Sequence, residues 1–236
     1  MNDSGSSSPD WLAAALQLFD SALPTGAYAH SQGLEGLVRD GWIAGTAEVE
    51  SFICTEVAAS LIHADLPVFR EAHAVIGNGD WTAIAALDEL AEALRPTREL
   101  RLCGSRTGRQ AWRLFGELLE DEPERQGQYS RCAEFLSTYQ APVVFGLLGG
   151  ILQCPPDAAM LAYSRQAVVN FSQPCIKLLN SGPTEAQRII YSCSKYISEW
   201  VRASLSVSLA DTGLTAPRWD IASSRHQFAP QRLYIS

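Results

Sequence analysis

Four ionisable side chains in the first half of the chain are of types that bind metal ions: His63, Asp65, Glu71 and His73. Two ligands on one helix share a face only when they lie three or four residues apart. His63 and Asp65 are two residues apart, and His73 lies ten residues beyond His63, past a proline. A helical metal-dependent enzyme therefore remains an alternative hypothesis, and it requires two neighbouring helices to turn all four side chains inward.

Other patterns that suggest catalysis are incomplete. Ser21 and Ser31 lie near His30 in the sequence, but the G-x-S-x-G turn of a serine hydrolase is absent. The segment GSRTG at 104–108 lacks the G-K-[ST] ending of a phosphate-binding loop, and its small residues predict close packing by another helix. The acidic segment EDEPE at 120–124 is typical of a solvated loop. The residues predict no catalytic site, cofactor or bound metal.

Composition narrows the class of protein further. The net charge of −8 disfavours nucleic-acid binding, which needs a clustered basic surface. The N-terminus lacks the pattern of a secretory signal, and the longest apolar run, 141–152, is too short to span a bilayer. The six cysteines include no C-x-x-C pair, and Cys103 and Cys193 fall on apolar helical stripes, which predicts buried thiols. We expect a cytoplasmic protein that binds neither nucleic acid nor membrane.

Apolar residues recur at helical spacing through most of the chain, and no segment alternates as a strand does. One stripe comprises Val49, Phe52, Ile53, Val57, Ser60, Leu61 and Ala64, and we expect its helix to break at Pro67. The fold class is all-α, a single compact domain of about nine or ten helices. We expect a flexible N-terminus at 1–8, an all-helical domain at 9–213 and an irregular C-terminal tail at 214–236.

The connection between the first two predicted helices concentrates turn-forming and polar residues. Pro24 and Gly26 predict a turn, and Ser31 predicts an N-cap. Tyr28 and His30 then lie on a connection of small residues, an arrangement that suits a docking surface. We expect this connection to be partly structural and partly an interface, with Tyr28 and His30 exposed.

Three separate segments carry a resemblance to one family. They are LQLFDSALPTGAYAHSQGLE at 16–35, RPTRELRLCGSRTGRQAWRL at 95–114 and DIASSRHQFAPQRLYIS at 220–236. Each is similar to a signature of the UreF family of urease accessory proteins. A fourth segment, IKLLNSGPTEAQR at 176–188, resembles a family turn with departures, including Lys177 in place of arginine.

The resemblance implies an all-helical accessory protein without catalytic activity of its own. Family members form a homodimer, bind the accessory protein UreD (also called UreH), and recruit the nickel-carrying GTPase UreG to urease apoprotein for nickel insertion. A role in regulating the UreG GTPase has been proposed for the family.

With this resemblance, two sets of residues become candidates. We expect partner binding by Tyr28, His30, Glu35, Lys177, Arg225, His226, Arg232 and Leu233. We expect a structural motif of Asp20, Ser21, Pro24, Gly26, Ser31 and Gly33. The tail either becomes ordered on a partner or packs back onto the body through Trp219, Ile221 and Leu233.

Overall fold

The computed structural model describes residues 10–26, 30–213 and 216–235, and these contain no β-strand. The all-α prediction is therefore confirmed. A 3₁₀ turn at Leu209–Asp211 precedes the last helix. The helices α1 to α12 are, in order, Asp10–Leu18, Leu34–Arg39, Thr46–Asn78, Ala83–Ala93, Arg98–Leu118, Pro123–Ala133, Ala141–Ile151, Pro156–Ser172, Cys175–Leu178, Pro183–Ser194, Ile197–Ser204 and Pro217–His226.

Helix α3 runs without a break through Pro67, so the predicted break is wrong. Proline lacks an amide proton, and its ring clashes with the carbonyl four residues earlier, here that of His63. A π-helical turn at Leu61–Asp65 widens the helix just before the proline. The freed His63 carbonyl accepts a hydrogen bond from the amide of Gly213 at 3.0 Å. A distant loop thus satisfies the group that the proline leaves unpaired.

In the described part of the chain, α3 is the one helix with the length and apolar content of a membrane span. Its most apolar 18-residue window has a mean hydropathy of 1.4, and 61% of that window is buried inside the fold. The predicted stripe from Val49 to Ala64 is buried at every position. The apolar content of α3 thus builds the core of the bundle.

Helix α7 lies at the centre, packed against α3 and α5. Every residue from Pro142 to Ile151 is buried. A Cβ at Gly146 would lie 2.5 Å from the Phe69 carbonyl oxygen of α3, and one at Gly150 would lie 2.9 Å from that of His73. Glycine is required at both positions because the two helix backbones are nearly in contact.

A buried carboxylate positions the start of α7. Asp88 of α4 is fully buried, and it accepts hydrogen bonds from four successive amides, those of residues 137–140, at 2.6–3.1 Å. The same loop packs against α5, where a Cβ at Gly108 would clash with the Tyr139 carbonyl oxygen. Close packing at 104–108 is confirmed: this loop lies nearest to Gly108, and Val144 of α7 would lie 3.2 Å from the same Cβ.

Candidate functional site

The N-terminal connection forms a seat for the last helix, α12. Gly33 has a positive φ of 89°, and a Cβ there would lie 2.8 Å from the Trp219 ring. The Trp219 Nε1–H donates a hydrogen bond to the Gln32 carbonyl at 2.6 Å. A Cβ at Gly36 would lie 2.5 Å from the Ala222 carbonyl oxygen. The two glycines therefore let α12 lie directly on α2.

A buried histidine joins the three segments that carry the family resemblance. His226, at the end of α12, is fully buried. Its Nε2 lies 2.9 Å from Glu35 Oε2 and its Nδ1 lies 2.9 Å from Glu99 Oε2. A ring that donates from both nitrogens satisfies both carboxylates. We call this arrangement the Glu35–His226–Glu99 clasp.

The clasp also holds the chain beyond α12. Glu35 accepts hydrogen bonds from the amides of Leu233 and Tyr234 at 2.8 and 3.1 Å, and Arg232 Nη1 lies 3.4 Å from Glu99 Oε1. Hydrogen bonds to a buried carboxylate are stronger than those between neutral groups. The backbone at Leu233 and Tyr234 is thereby fixed against the body of the protein.

Several side chains between residues 225 and 235 are nevertheless exposed. Phe228 is 80% exposed, Leu233 is 69% exposed, and Ile235 is also exposed. Large apolar side chains that cluster on a surface and are rimmed by charge are typical of interaction sites. Arg225 and Arg232 supply such charge here, since both are exposed. We call Arg225, Phe228, Arg232, Leu233 and Ile235 the tail surface.

The tail packs back onto the body only in part, and its ordering on a partner stays a prediction. Trp219 is buried against α2 and α3, as packing onto the body requires. Ile221 and Leu233 are exposed, contrary to that expectation. The backbone of the tail is docked while most of its apolar side chains are left free.

Several predicted partner-binding residues lie inside the fold. The expected exposure of His30 is wrong, because it is only 4% exposed and leads into the buried segment that seats α12. Burial, together with the positive charge of Arg106, lowers the pKa of His30. Glu35 and His226 are also buried, so in this conformation they position the tail and do not present a surface. Lys177 is exposed, and Tyr28 lies outside the described residues.

Members of the predicted structural motif form local turns. The Asp20 carboxylate accepts a hydrogen bond from the Ala22 amide at 2.8 Å, and Gly26 has a φ of 76°. Ser31 is fully buried, and its Oγ accepts from the Glu35 amide at 3.3 Å. The N-cap of α2 is nevertheless Gly33 and not Ser31. Ser21 is half-buried and Pro24 is exposed.

The four residues of the metal-enzyme hypothesis are not brought together. Asp65 is paired with Arg95, Glu71 is paired with Arg70, and His73 Nε2 lies 2.8 Å from the Cys154 carbonyl oxygen. His63 is exposed at a groove on another face. Within the described residues, no group of three His, Cys, Asp or Glu side chains is arranged to hold a metal ion. The hypothesis is wrong because α3 distributes these residues over different neighbours.

A partly open cavity of about 80 Å³ lies near the Asp65–Arg95 pair. Arg95 also donates to Ser60 Oγ at 3.2 Å, and burial raises the pKa of Tyr163 well above its ordinary value. The charged groups of this cavity are thus paired with each other, and the space suits a few water molecules.

Sequence reasoning missed Glu99, which completes the clasp. It lies in the segment at 95–114, so the resemblance of that segment was the available signal. Its role depends on a contact with a histidine 127 residues away, which no local pattern encodes.

The fold and this site define an all-α protein that displays a docked C-terminal segment, a class suited to binding other proteins. Comparison with known families makes the assignment specific: the UreF family model matches residues 43–194, and the chain belongs to this family.

Curated relatives named "Urease accessory protein UreF" align over nearly the whole chain. The relative from Picosynechococcus is 30% identical, covering 93% of this chain and 97% of the relative. Those from Marinomonas and Kocuria rhizophila are 28% and 29% identical, covering 94% and 95% of this chain and 92% and 97% of the relatives. These relatives are named as accessory proteins.

Proposed function

We propose that this protein is an assembly factor for urease that works by binding other proteins. It binds UreD (UreH), forms a homodimer, and recruits the GTPase UreG to urease apoprotein in the cytoplasm so that nickel is inserted. Its contact with UreG regulates GTP hydrolysis. Nickel is the cargo of this assembly, and no residue of this chain is assigned to it.

The observation that supports this proposal is the tail surface held by the buried clasp. A backbone fixed by carboxylate hydrogen bonds presents Leu233 with little conformational freedom left to lose on binding. Exposed apolar side chains beside arginines match the composition of protein interfaces. We assign this surface to UreD.

Co-expression with UreD, UreG and urease apoprotein tests the proposal. Deletion of 229–236 leaves the helix content unchanged and abolishes copurification with UreD. A sharper variant is Leu233→Asp, which alters only the exposed side chain. Its matched control is Leu205→Asp, because Leu205 is also exposed but lies beyond α11 and outside the tail surface.

We expect Leu233→Asp to lose UreD and urease activation while Leu205→Asp retains both. Equal recovery of UreD with both variants, at unchanged thermal stability, contradicts the assignment of the tail surface. Light scattering of the purified chain and its UreD complex tests the homodimer separately.

A further inference from the structure

Two cysteines from distant parts of the chain lie side by side. Cys54 is on α3 and Cys193 is near the end of α10, and their Sγ atoms are 3.6 Å apart. One turn earlier on α3, Glu50 Oε1 accepts a hydrogen bond from Ser192 Oγ at 2.5 Å. Two neighbouring contacts therefore hold the helices in register at this point.

The two thiols differ in access to solvent. Cys193 is fully buried, whereas Cys54 is half-buried and lines an open groove of about 810 Å³ beside α11. The other four cysteines are all buried. A small thiol reagent therefore reaches Cys54 first and finds Cys193 directly behind it.

We propose that Cys54 and Cys193 form a redox-active pair that is oxidised to a disulfide by low-molecular-weight disulfides such as glutathione disulfide. The Cys54 thiolate attacks one sulfur of the reagent, forms a mixed disulfide and releases one glutathione thiolate. The Cys193 thiolate then attacks the Cys54 sulfur, forms the intramolecular bond and releases the second glutathione. The two protons lost by the cysteines are taken up by the two glutathione thiolates, so one glutathione disulfide is reduced as two thiols are oxidised.

The two sulfur atoms already lie close to bonding distance. A disulfide has an S–S length of about 2.0 Å, so the sulfurs must approach by about 1.5 Å when the bond forms. The bridge joins residues 139 apart in sequence. Closing so long a loop constrains the unfolded chain strongly, so the oxidised protein melts at a higher temperature.

The surroundings of the two cysteines also affect the rate at which they are oxidised. Burial raises the pKa of both thiols, and the Glu50 carboxylate raises it further for each. Because the thiolate is the attacking species, oxidation is slow at neutral pH and accelerates by about tenfold per pH unit below the thiol pKa.

Peptide mapping of the folded protein after incubation with glutathione disulfide tests the pair. We expect loss of two of the six thiols, a cross-linked peptide pair containing Cys54 and Cys193, and a rise in Tm that dithiothreitol reverses. Cys193→Ala accumulates the glutathione adduct on Cys54, and Cys54→Ala remains unmodified. Cys175→Ala, which removes a buried cysteine elsewhere, still forms the bridge.

Any of three results in the wild-type protein overturns the proposal. They are no reaction while the protein is folded, arrest at a mixed disulfide on Cys54, or a bridge to another cysteine. The wild-type peptide map tests for the Cys54–Cys193 bond even if a variant fails to fold. Circular dichroism reports folding in every sample.

Discussion

The clasp makes a quantitative prediction for Glu35→Gln, a change that keeps the shape of the side chain and removes its charge. Glu35 accepts hydrogen bonds from Leu233, Tyr234 and His226, all at 2.8–3.1 Å. A glutamine presents one oxygen and one amide group, so at least one of these donors then faces another donor.

The size of the effect follows from the loss of charge-assisted hydrogen bonds. Each bond to a charged group contributes about 1.5–3 kcal/mol, against about 0.5–1.5 kcal/mol between neutral groups. Only the bonds to the Leu233 and Tyr234 amides hold the tail directly, and a loss of about 1–1.5 kcal/mol in each amounts to about 2–3 kcal/mol against docking of the tail. Since 1.4 kcal/mol is a factor of ten, the undocked population rises roughly 30- to 150-fold.

Amide hydrogen exchange measures this population directly. We expect exchange at Leu233 and Tyr234 to accelerate by the same factor, while amides of the central helix α7 change far less. The matched control is Glu134→Gln, because Glu134 is an exposed residue whose salt bridge to Arg131 lies on the surface. The variant should also recover less UreD, because the tail surface is then less ordered.

Unchanged exchange at Leu233 and Tyr234 in Glu35→Gln refutes the reasoning, since the carboxylate then does not hold these amides. Faster exchange throughout the protein has a different meaning. It shows that Glu35 stabilises the whole fold through His226 and not the tail in particular.

Three further predictions concern packing, a buried carboxylate and pH. Gly36→Ala should lower the free energy of unfolding by about 1–3 kcal/mol, because the new Cβ would meet the backbone of α12. Gly127→Ala should raise the free energy of unfolding by about 0.5–1 kcal/mol, because Gly127 lies on α6 with open space around it. Urea titration of both variants measures these opposite changes. Asp88→Ala should lower the free energy of unfolding by about 3–5 kcal/mol, because four amides lose their buried acceptor. A loss below about 1 kcal/mol in the same titration would show that Asp88 does not hold the start of α7. Burial lowers the pKa of His73 below its ordinary 6.5, so the unfolded state takes up a proton before the folded state does, and the free energy of unfolding falls as the pH drops through 6.5. His73→Gln should flatten this fall between about pH 7.5 and 5.5. Parallel plots of stability against pH for the two proteins would contradict the prediction.

Much of the fold follows from local patterns. The stripe on α3 from Val49 to Ala64 is buried as its spacing predicts. Helix formation and the choice of buried face depend on residues within a few turns, so the sequence carries this information directly. The close packing at the small residues of 104–108 was likewise predicted from residue size.

Long-range contacts determine the features that local sequence patterns did not predict. Pro67 lies inside a helix only because Gly213 satisfies the His63 carbonyl, and His30 is buried near Arg106 of α5. The three resembling segments could be read from the sequence, but their meeting in one clasp could not, because Glu35, Glu99 and His226 are separated by most of the chain. The sequence by itself determined the helices and the family resemblance. The tertiary structure decided which polar residues position the tail and which side chains face a partner, because burial depends on what packs against a residue and not on its type.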